Sequence, residues 1–254
     1  MADEMNITDY LAKGGRLTNP ANVPPRYRAE LMKIMATFVD SELAGAAGFA
    51  DVINAGPGIK ERIAAARIVL EKTDNADRVL RLMGEFGANT DRYANHHPWA
   101  DRLPRDTAPG SHRSTHDMRL SVMNYPLEGW ADAVVMNFCM GLGVCVQLRE
   151  MTKVSYQPLS EAIREILPTE QRHAELAEEG LERLLAQGNG PAITAALTYW
   201  HPRVAAIFGD VGADRMAQLQ GWGLRDLTGP ELRALWQDQL GHGLARLGLT
   251  FQAA

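Results

Sequence analysis

The chain has 254 residues, a length that a helical bundle with long helices reaches within one domain. Apolar residues make up 46% and charged residues 22%, and a net charge of −5 without a basic stripe argues against a nucleic-acid-binding protein. The first ten residues lack the basic-then-apolar order of a signal peptide, and no run of eighteen apolar residues occurs, so no membrane span is expected.

Helical spacing of apolar residues runs through almost the whole chain, whereas strand signals are scarce. A polar stretch at about residues 89–117, rich in Pro, His, Asp and Arg, predicts a long surface loop in the middle of the chain. Four long helices and three shorter ones are predicted around it, at about residues 26–53, 59–86, 128–149, 159–186, 192–208, 213–222 and 229–247.

Two pairs of long helices joined by one long connection are typical of the ferritin-like four-helix bundle. We therefore predict an all-α, single ferritin-like domain over residues 1–254, with the core bundle at about 25–187 and extra C-terminal helices at about 191–248. The third long helix is apolar nearly all round between Ala131 and Val146, so we expect it at the centre of the bundle.

The two cysteines, Cys139 and Cys145, both fall in this apolar segment. A separation of six residues along a helix turns the two side chains well away from each other, so no disulfide is expected. We expect both cysteines to pack in the core. Thiols that stay reduced fit a cytoplasmic location.

Several predicted helices carry polar side chains where their apolar stripes should continue. Glu42 on the first helix stands where a leucine would be expected, and Asp132 lies at the start of the buried third helix. On the fourth helix, Glu170 and His173 form Glu-x-x-His, a spacing that puts both side chains on one helical face. Because burying unpaired carboxylates is costly, these groups need a common partner, and a metal ion would supply one.

The second helix departs from the pattern of a complete metal site. Di-iron carboxylate bundles take one acid from each of two helices and Glu-x-x-His from each of the other two. On the second helix, the core-facing position two turns after Ile68 is Asn75, and Arg78 follows three residues later. A neutral amide is a poor bridging ligand for iron, and a guanidinium cannot lose its proton to bind metal. The sequence therefore predicts a partly dismantled metal site.

Short motifs occur in a fixed order along the chain. They are Pro25-x-Tyr27-Arg28, Ser41-Glu42, Asn124-Tyr125-Pro126, Trp130-Ala131-Asp132, Ser155-Tyr156-x-Pro158 and Glu170-x-x-His173. Over roughly residues 25–185, this order resembles the phenylacetyl-CoA epoxidase family of phenylacetic acid catabolism, and specifically its iron-bearing catalytic subunit. The resemblance implies a ferritin-like di-iron monooxygenase that epoxidises an aromatic ring held as a CoA thioester, with electrons from a reductase subunit.

By this resemblance, four residues match the family's iron-ligand positions, namely Glu42, Asp132, Glu170 and His173. The family's Asp-Glu-Ala-x-His on the second helix corresponds to residues 74–78, so Asn75 replaces a bridging carboxylate and Arg78 replaces an imidazole. The family's companion subunit shares the fold, lacks the iron site and serves a structural role. In its loss of ligands on the second helix, this chain resembles that subunit.

The residues leave two arrangements open. In the first, Asp132, Glu170 and His173 hold a single iron ion, the most that this set of ligands allows. In the second, the Arg78 guanidinium forms a bidentate ion pair with Glu42 and Glu170, and no metal is bound. Charge balance favours the second, because the permanently cationic Arg78 would repel a dication.

Three functions are compatible with these arrangements. The chain is an oxygenase subunit for an aromatic acyl-CoA with one iron site lost, or a non-catalytic structural partner of an active paralogue, or a protein that binds a small acid or acyl-CoA in the vacated metal pocket. The resemblance and the apolar content predict a homo-oligomer or a complex with a paralogous ferritin-like subunit. The sequence leaves open whether the chain is an enzyme.

Overall fold

Helices account for the regular structure of the chain. The computed structural model describes residues 6–93 and 95–251, and within these ranges the only β-type pairing is an isolated bridge between Leu17 and Tyr156. The helices of the described residues are α1 (Ile7–Ala12), α2 (Pro25–Val52), α3 (Ile59–Glu85), α4 (Thr90–Tyr93), α5 (Gly129–Met151), α6 (Gln157–Ala186), α7 (Gly190–Ala205), α8 (Ala213–Gly221) and α9 (Gly229–Arg246). All seven predicted helices are present with ends within a few residues, and the all-α class is confirmed.

Local sequence signals set where these helices begin and end. Pro25 occupies the first turn of α2, where its missing N–H breaks no hydrogen bond. Gly188 follows the end of α6 with a φ of 79°, a left-handed conformation that glycine adopts without a steric penalty. Thr228 and Glu231 form a reciprocal capping box at the start of α9.

The four long helices form two packed pairs. Helix α2 packs along α3 and α5 packs along α6, and the pairs meet where α3 contacts α6 and α2 contacts α5. The connection from α3 to α5 carries the short helix α4 and a 3₁₀ turn at Ser121–Asn124. This is the predicted ferritin-like arrangement of two helix pairs with one long connection.

Helix α5 lies at the centre of the protein, as predicted. Glycines let it approach α6 closely: a Cβ on Gly141 would lie 3.1 Å from the Cβ of Ala174, and one on Gly180 would lie 2.9 Å from Cγ1 of Val134. By length and composition α5 is apolar enough to cross a membrane, but 83% of its most apolar window is buried inside the protein. Such burial is typical of a helix at the core of a bundle.

The C-terminal helices add to the burial of α5. Helices α7 and α9 both pack on α5, and the buried Trp236 donates a hydrogen bond from Nε1 to the carbonyl of Cys139 at 2.9 Å. Cys139 and Cys145 are buried and free, which confirms their predicted role in core packing. The C-terminal segment therefore completes the apolar core around the central helix.

The connection between α3 and α5 is anchored more firmly than a solvated surface loop. Arg119 is 1% exposed and donates to Asp117 from Nε at 2.6 Å. Asp40 of α2 accepts hydrogen bonds from the Tyr93 hydroxyl and the Met118 backbone N–H, both at 2.7 Å. These buried polar contacts fix the connection against the middle of α2.

Candidate functional site

A buried lysine lies at the centre of the polar residues in the bundle core. The Lys72 ammonium donates hydrogen bonds to Oε1 of Glu42 at 3.0 Å and to both carboxylate oxygens of Glu170 at 3.1 and 3.2 Å. The side chains of all three residues are 5% exposed or less. Lys72 of α3 therefore joins a carboxylate of α2 to a carboxylate of α6 in the buried interior.

Asn75 completes the contacts between α3 and the two carboxylates. Its Nδ2 donates to Oε1 of Glu170 at 3.0 Å and lies 3.4 Å from Oε2 of Glu42. Lys72 and Asn75 are three residues apart, so both side chains project from one face of α3. We call Glu42, Lys72, Asn75 and Glu170 the lysine cluster.

His173 links the lysine cluster to the edge of the bundle. Its ring is fully buried, and Nε2 lies 2.7 Å from Oε2 of Glu71, whose side chain is 33% exposed. Nδ1 of the same ring lies 3.3 Å from Oε1 of Glu170 but makes no hydrogen bond there. A chain of polar contacts thus leads from the buried Glu170 through His173 to a half-exposed carboxylate.

The protonation states follow from burial and from the neighbouring charges. Burial, reinforced by the Glu170 carboxylate, raises the pKa of Glu42 to about 8. Burial also acts to raise the pKa of Glu170, but the Lys72 and His173 side chains outweigh it, so that pKa is lowered. Burial acts to lower the pKa of Lys72, and the two carboxylates outweigh it and raise that pKa. The Lys72 ammonium and the Glu170 carboxylate therefore stay charged in the core, whereas Glu42 keeps its proton to a higher pH than an ordinary carboxyl group.

The predicted ion pair of Arg78 with Glu42 and Glu170 is wrong. Arg78 lies on the outer surface and pairs with Glu165, and the two side chains are 49% and 65% exposed. The buried stripe of α3 passes through Lys72 and Asn75, and at 3.6 residues per turn position 78 points about 120° away from position 72. The sequence correctly placed Asn75 in the core. The cation beside it is Lys72, three residues before Asn75, and not Arg78, three residues after it.

Asp132 does not join the lysine cluster. Its carboxylate accepts hydrogen bonds from the Arg105 guanidinium at 2.7 and 3.1 Å, from Nε1 of Trp200 at 2.9 Å and from the Glu128 backbone N–H at 2.9 Å. On α5, the residue that meets α6 beside His173 is Asn137, whose amide donates to the His173 carbonyl at 3.2 Å. The predicted convergence of Asp132 with the other acids is therefore not seen. Four donors already satisfy this carboxylate, which anchors the central connection and α7 to the start of α5.

Sequence reasoning missed Lys72 and Glu71. Lys72 continues the apolar stripe four residues after Ile68, and that position was a signal that its side chain faces the core. A lysine is rarely buried without paired acids, so its place opposite Glu42 and Glu170 was consistent with an ion cluster. Glu71 has no comparable signal, because it lies at the margin of the stripe.

The residues present do not fit a pair of iron ions. The Lys72 ammonium lies between the two carboxylates that would bridge or bind metal, Asn75 is neutral, and Asp132 is held elsewhere. In the described part of the chain, no three His, Cys, Asp or Glu side chains are arranged to hold a metal ion. The single-iron arrangement of Asp132, Glu170 and His173 is not assembled either, since Asp132 has other partners.

Comparison with known proteins identifies the family. The family model described as phenylacetic acid catabolic protein matches residues 5–254, nearly the whole chain. No curated protein matches the chain at a significant level. The match agrees with the motif resemblance and with the ferritin-like bundle. The chain belongs to the phenylacetic acid catabolic protein family, and this membership implies a role in phenylacetic acid catabolism.

Proposed function

We propose that this protein is a non-catalytic, iron-free partner subunit in a ring-epoxidising oxygenase system of the phenylacetyl-CoA type. The observation that carries the proposal is the Lys72 ammonium between Glu42 and Glu170. It neutralises the acids that a metal pair would otherwise neutralise, so the bundle keeps its fold without metal. The active iron centre then belongs to a paralogous subunit.

Electrostatics supports the absence of iron from this subunit. The two carboxylates raise the pKa of Lys72, so the side chain keeps its positive charge in the core. A dication bound by the same carboxylate oxygens would lie within a few ångströms of this charge, in a medium that screens repulsion poorly. Metal binding would therefore require Lys72 to leave the core or to lose its proton.

The two competing functions have less support. A catalytic subunit with a single iron ion needs Asp132 as a ligand, and that carboxylate is engaged by Arg105 and Trp200. A protein that binds a small acid or acyl-CoA in the vacated metal pocket needs open space between the carboxylates, and the Lys72 side chain fills it.

One face of α3 supports a role in subunit contacts. Ile59, Ile63 and Leu70 are 77%, 54% and 61% exposed, and their spacing of four and seven residues places them along one stripe of the helix. Exposed apolar stripes of this kind mark protein–protein contacts. We propose that a helix of a paralogous ferritin-like subunit covers this stripe.

Metal analysis and co-purification test the proposal together. Protein expressed in iron-supplemented medium should contain far less than one iron per chain, and it should co-purify with the iron-bearing paralogue of the same organism. Leu70→Asp should weaken that complex at least tenfold, whereas Leu235→Asp on α9, 46% exposed, serves as the matched control. One tightly held iron per chain together with O₂ consumption by the isolated protein would overturn the proposal.

A further inference from the structure

Helix α8 covers a cavity that the function proposed above does not use. The cavity has a volume of about 250 Å³ and lies between α2, α5 and the C-terminal helices. Val144 of α5 belongs to its wall, and α8 contributes Arg215 and Leu219 to the same wall. A movement of α8 away from α2 would therefore open the cavity to solvent.

The packing of α8 is weaker than that of the helices next to it in the chain. Helix α8 has 9 residues, of which Met216 and Leu219 are buried, and in the described part of the chain it packs along none of the other helices. Helices α7 and α9 have 16 and 18 residues, and both pack on α5. A segment with few buried apolar contacts opens locally at a lower free-energy cost than unfolding of the whole protein.

Glycines flank α8, and its C-terminal end is anchored to the bundle. Gly212 before the helix has a φ of 80° and Gly223 after it has a φ of 62°, left-handed conformations that glycine adopts without a steric penalty. Ser155 donates its backbone N–H to the Gly223 carbonyl at 2.8 Å and its hydroxyl to the Trp222 carbonyl at 2.6 Å. These two hydrogen bonds fix the end of α8 that lies farther along the chain.

An ion pair holds the other end of α8 against α2. Nη2 of Arg215 lies 2.7 Å from Oε2 of Glu30, and among the described residues this is the one ion pair between α8 and another helix. Burial acts to raise the pKa of Glu30, but the Lys33 and Arg215 side chains outweigh it and lower that pKa, so the carboxylate stays charged at neutral pH. Because the Arg215 side chain is 47% exposed, water and salt weaken the pair.

We propose that α8 is a lid, which rotates about its anchored C-terminal end and opens the cavity when the ion pair between Arg215 and Glu30 breaks. Opening removes Met216 and Leu219 from their apolar contacts and leaves the long helices packed, so it occurs far more often than unfolding of the bundle. The proposal does not depend on whether the protein binds iron or a paralogue.

Labelling of a thiol in the cavity wall measures how often the lid opens. Val144→Cys places this thiol with little change in side-chain volume, and mass spectrometry follows its reaction with N-ethylmaleimide. The native Cys139 and Cys145 are internal controls. Both are buried, and burial raises their pKa to about 12 and about 11, so they react only when the whole bundle unfolds.

Variants of the ion pair should change the labelling rate of Val144→Cys. We expect Arg215→Gln and Glu30→Gln each to raise the rate at least fivefold, and the double variant to label no faster than the single ones, because all three lack the same ion pair. An increase in ionic strength from about 0.05 to about 0.5 M should also raise the rate. Arg172→Gln, which removes an exposed ion pair with Glu175 on α6, is the matched control and should leave the rate unchanged.

Hydrogen exchange tests the lid without a cysteine in the cavity, in case Val144→Cys does not fold. In the parent protein the amides of α8 should exchange faster than those of α7 and α9, and Arg215→Gln should widen this difference. The proposal is overturned if Arg215→Gln does not change the labelling of Val144→Cys, if it accelerates the labelling of Cys139 to the same extent, or if the three helices exchange at the same rate.

Discussion

Nζ of Lys72 lies 3.1 Å from Oε2 of Glu170, a contact between two buried side chains that are 98 residues apart in the chain. The contact joins α3 to α6 and, through Glu42, to α2. It holds together three of the four long helices at the place where the sequence predicted a metal site. The following predictions test this relationship and its surroundings.

Replacing Lys72 should destabilise the fold far more than replacing a surface cation of the same helix. Lys72→Met leaves the buried Glu170 carboxylate without its cation, and breaking such a buried pair costs roughly 3–5 kcal/mol. Arg78→Ala removes an exposed pair with Glu165, which is worth about 0–1 kcal/mol. Urea unfolding at pH 7 measures both free energies. Equal effects of the two substitutions would contradict the assignment of Lys72 as the central cation.

The stability of the protein should fall as pH rises through the titration range of Glu42. Its pKa in the folded protein is raised from 4.5 to about 8, so between these values the folded state binds more protons than the unfolded state. The unfolding free energy should then decrease with rising pH, by at most about 1.4 kcal/mol per pH unit from this group. The decrease is complete once pH exceeds the folded pKa.

Glu42→Gln is the variant that isolates this group. Because glutamine does not titrate, the variant should show a smaller decrease in unfolding free energy between pH 5 and 8 than the parent protein. Glu165→Gln on the exposed part of α6 is the matched control and should keep the parent slope. Glu170, whose pKa is lowered, acts in the opposite sense, and its contribution is lost as pH falls below 4.5. If the unfolding free energies of the parent protein and of Glu42→Gln fall with pH at the same rate, the pKa of Glu42 is not raised.

A metal site should be restored only by substitutions that follow the observed face of α3. Lys72→Glu with Asn75→His places Glu-x-x-His opposite Glu42 and Glu170, so Fe²⁺ can replace the lost ammonium charge. We expect iron uptake and a thermal midpoint that rises with Fe²⁺ and falls with chelator. Asn75→Glu with Arg78→His is the control, because position 78 faces solvent beside Glu165. Stronger iron binding by the control pair would show that position 78 faces the core.

Asp132 should act as a structural anchor and not as a metal ligand. Asp132→Asn weakens charge-assisted hydrogen bonds from Arg105 and Trp200, so we expect a loss of roughly 1–3 kcal/mol in unfolding free energy. Glu128→Gln removes a more exposed contact with the same arginine and should change stability by about 0–1 kcal/mol. Trp fluorescence during urea unfolding reports both values. A change in iron content without a change in stability would contradict the anchoring role.

The sequence by itself determined the helices and the fold class. Periodic apolar residues, proline at helix starts and glycine at helix ends are local signals, so the bounds of α2, α3, α5 and α6 could be predicted to within a few residues. The same periodicity placed Glu42, Glu170 and His173 in the core, because a polar residue that interrupts an apolar stripe faces the same way as its neighbours on the stripe.

Only the tertiary structure decided which groups meet those acids. Whether Lys72 or Arg78 meets the two carboxylates depends on how α3 is rotated against α6. Lys72 is buried, whereas Arg78, six residues later on the same helix, is exposed. Asp132 finds partners 27 and 68 residues away, on the central connection and on α7. Such contacts between distant segments depend on how whole helices pack, and the spacing of residues within one helix carries no information about them.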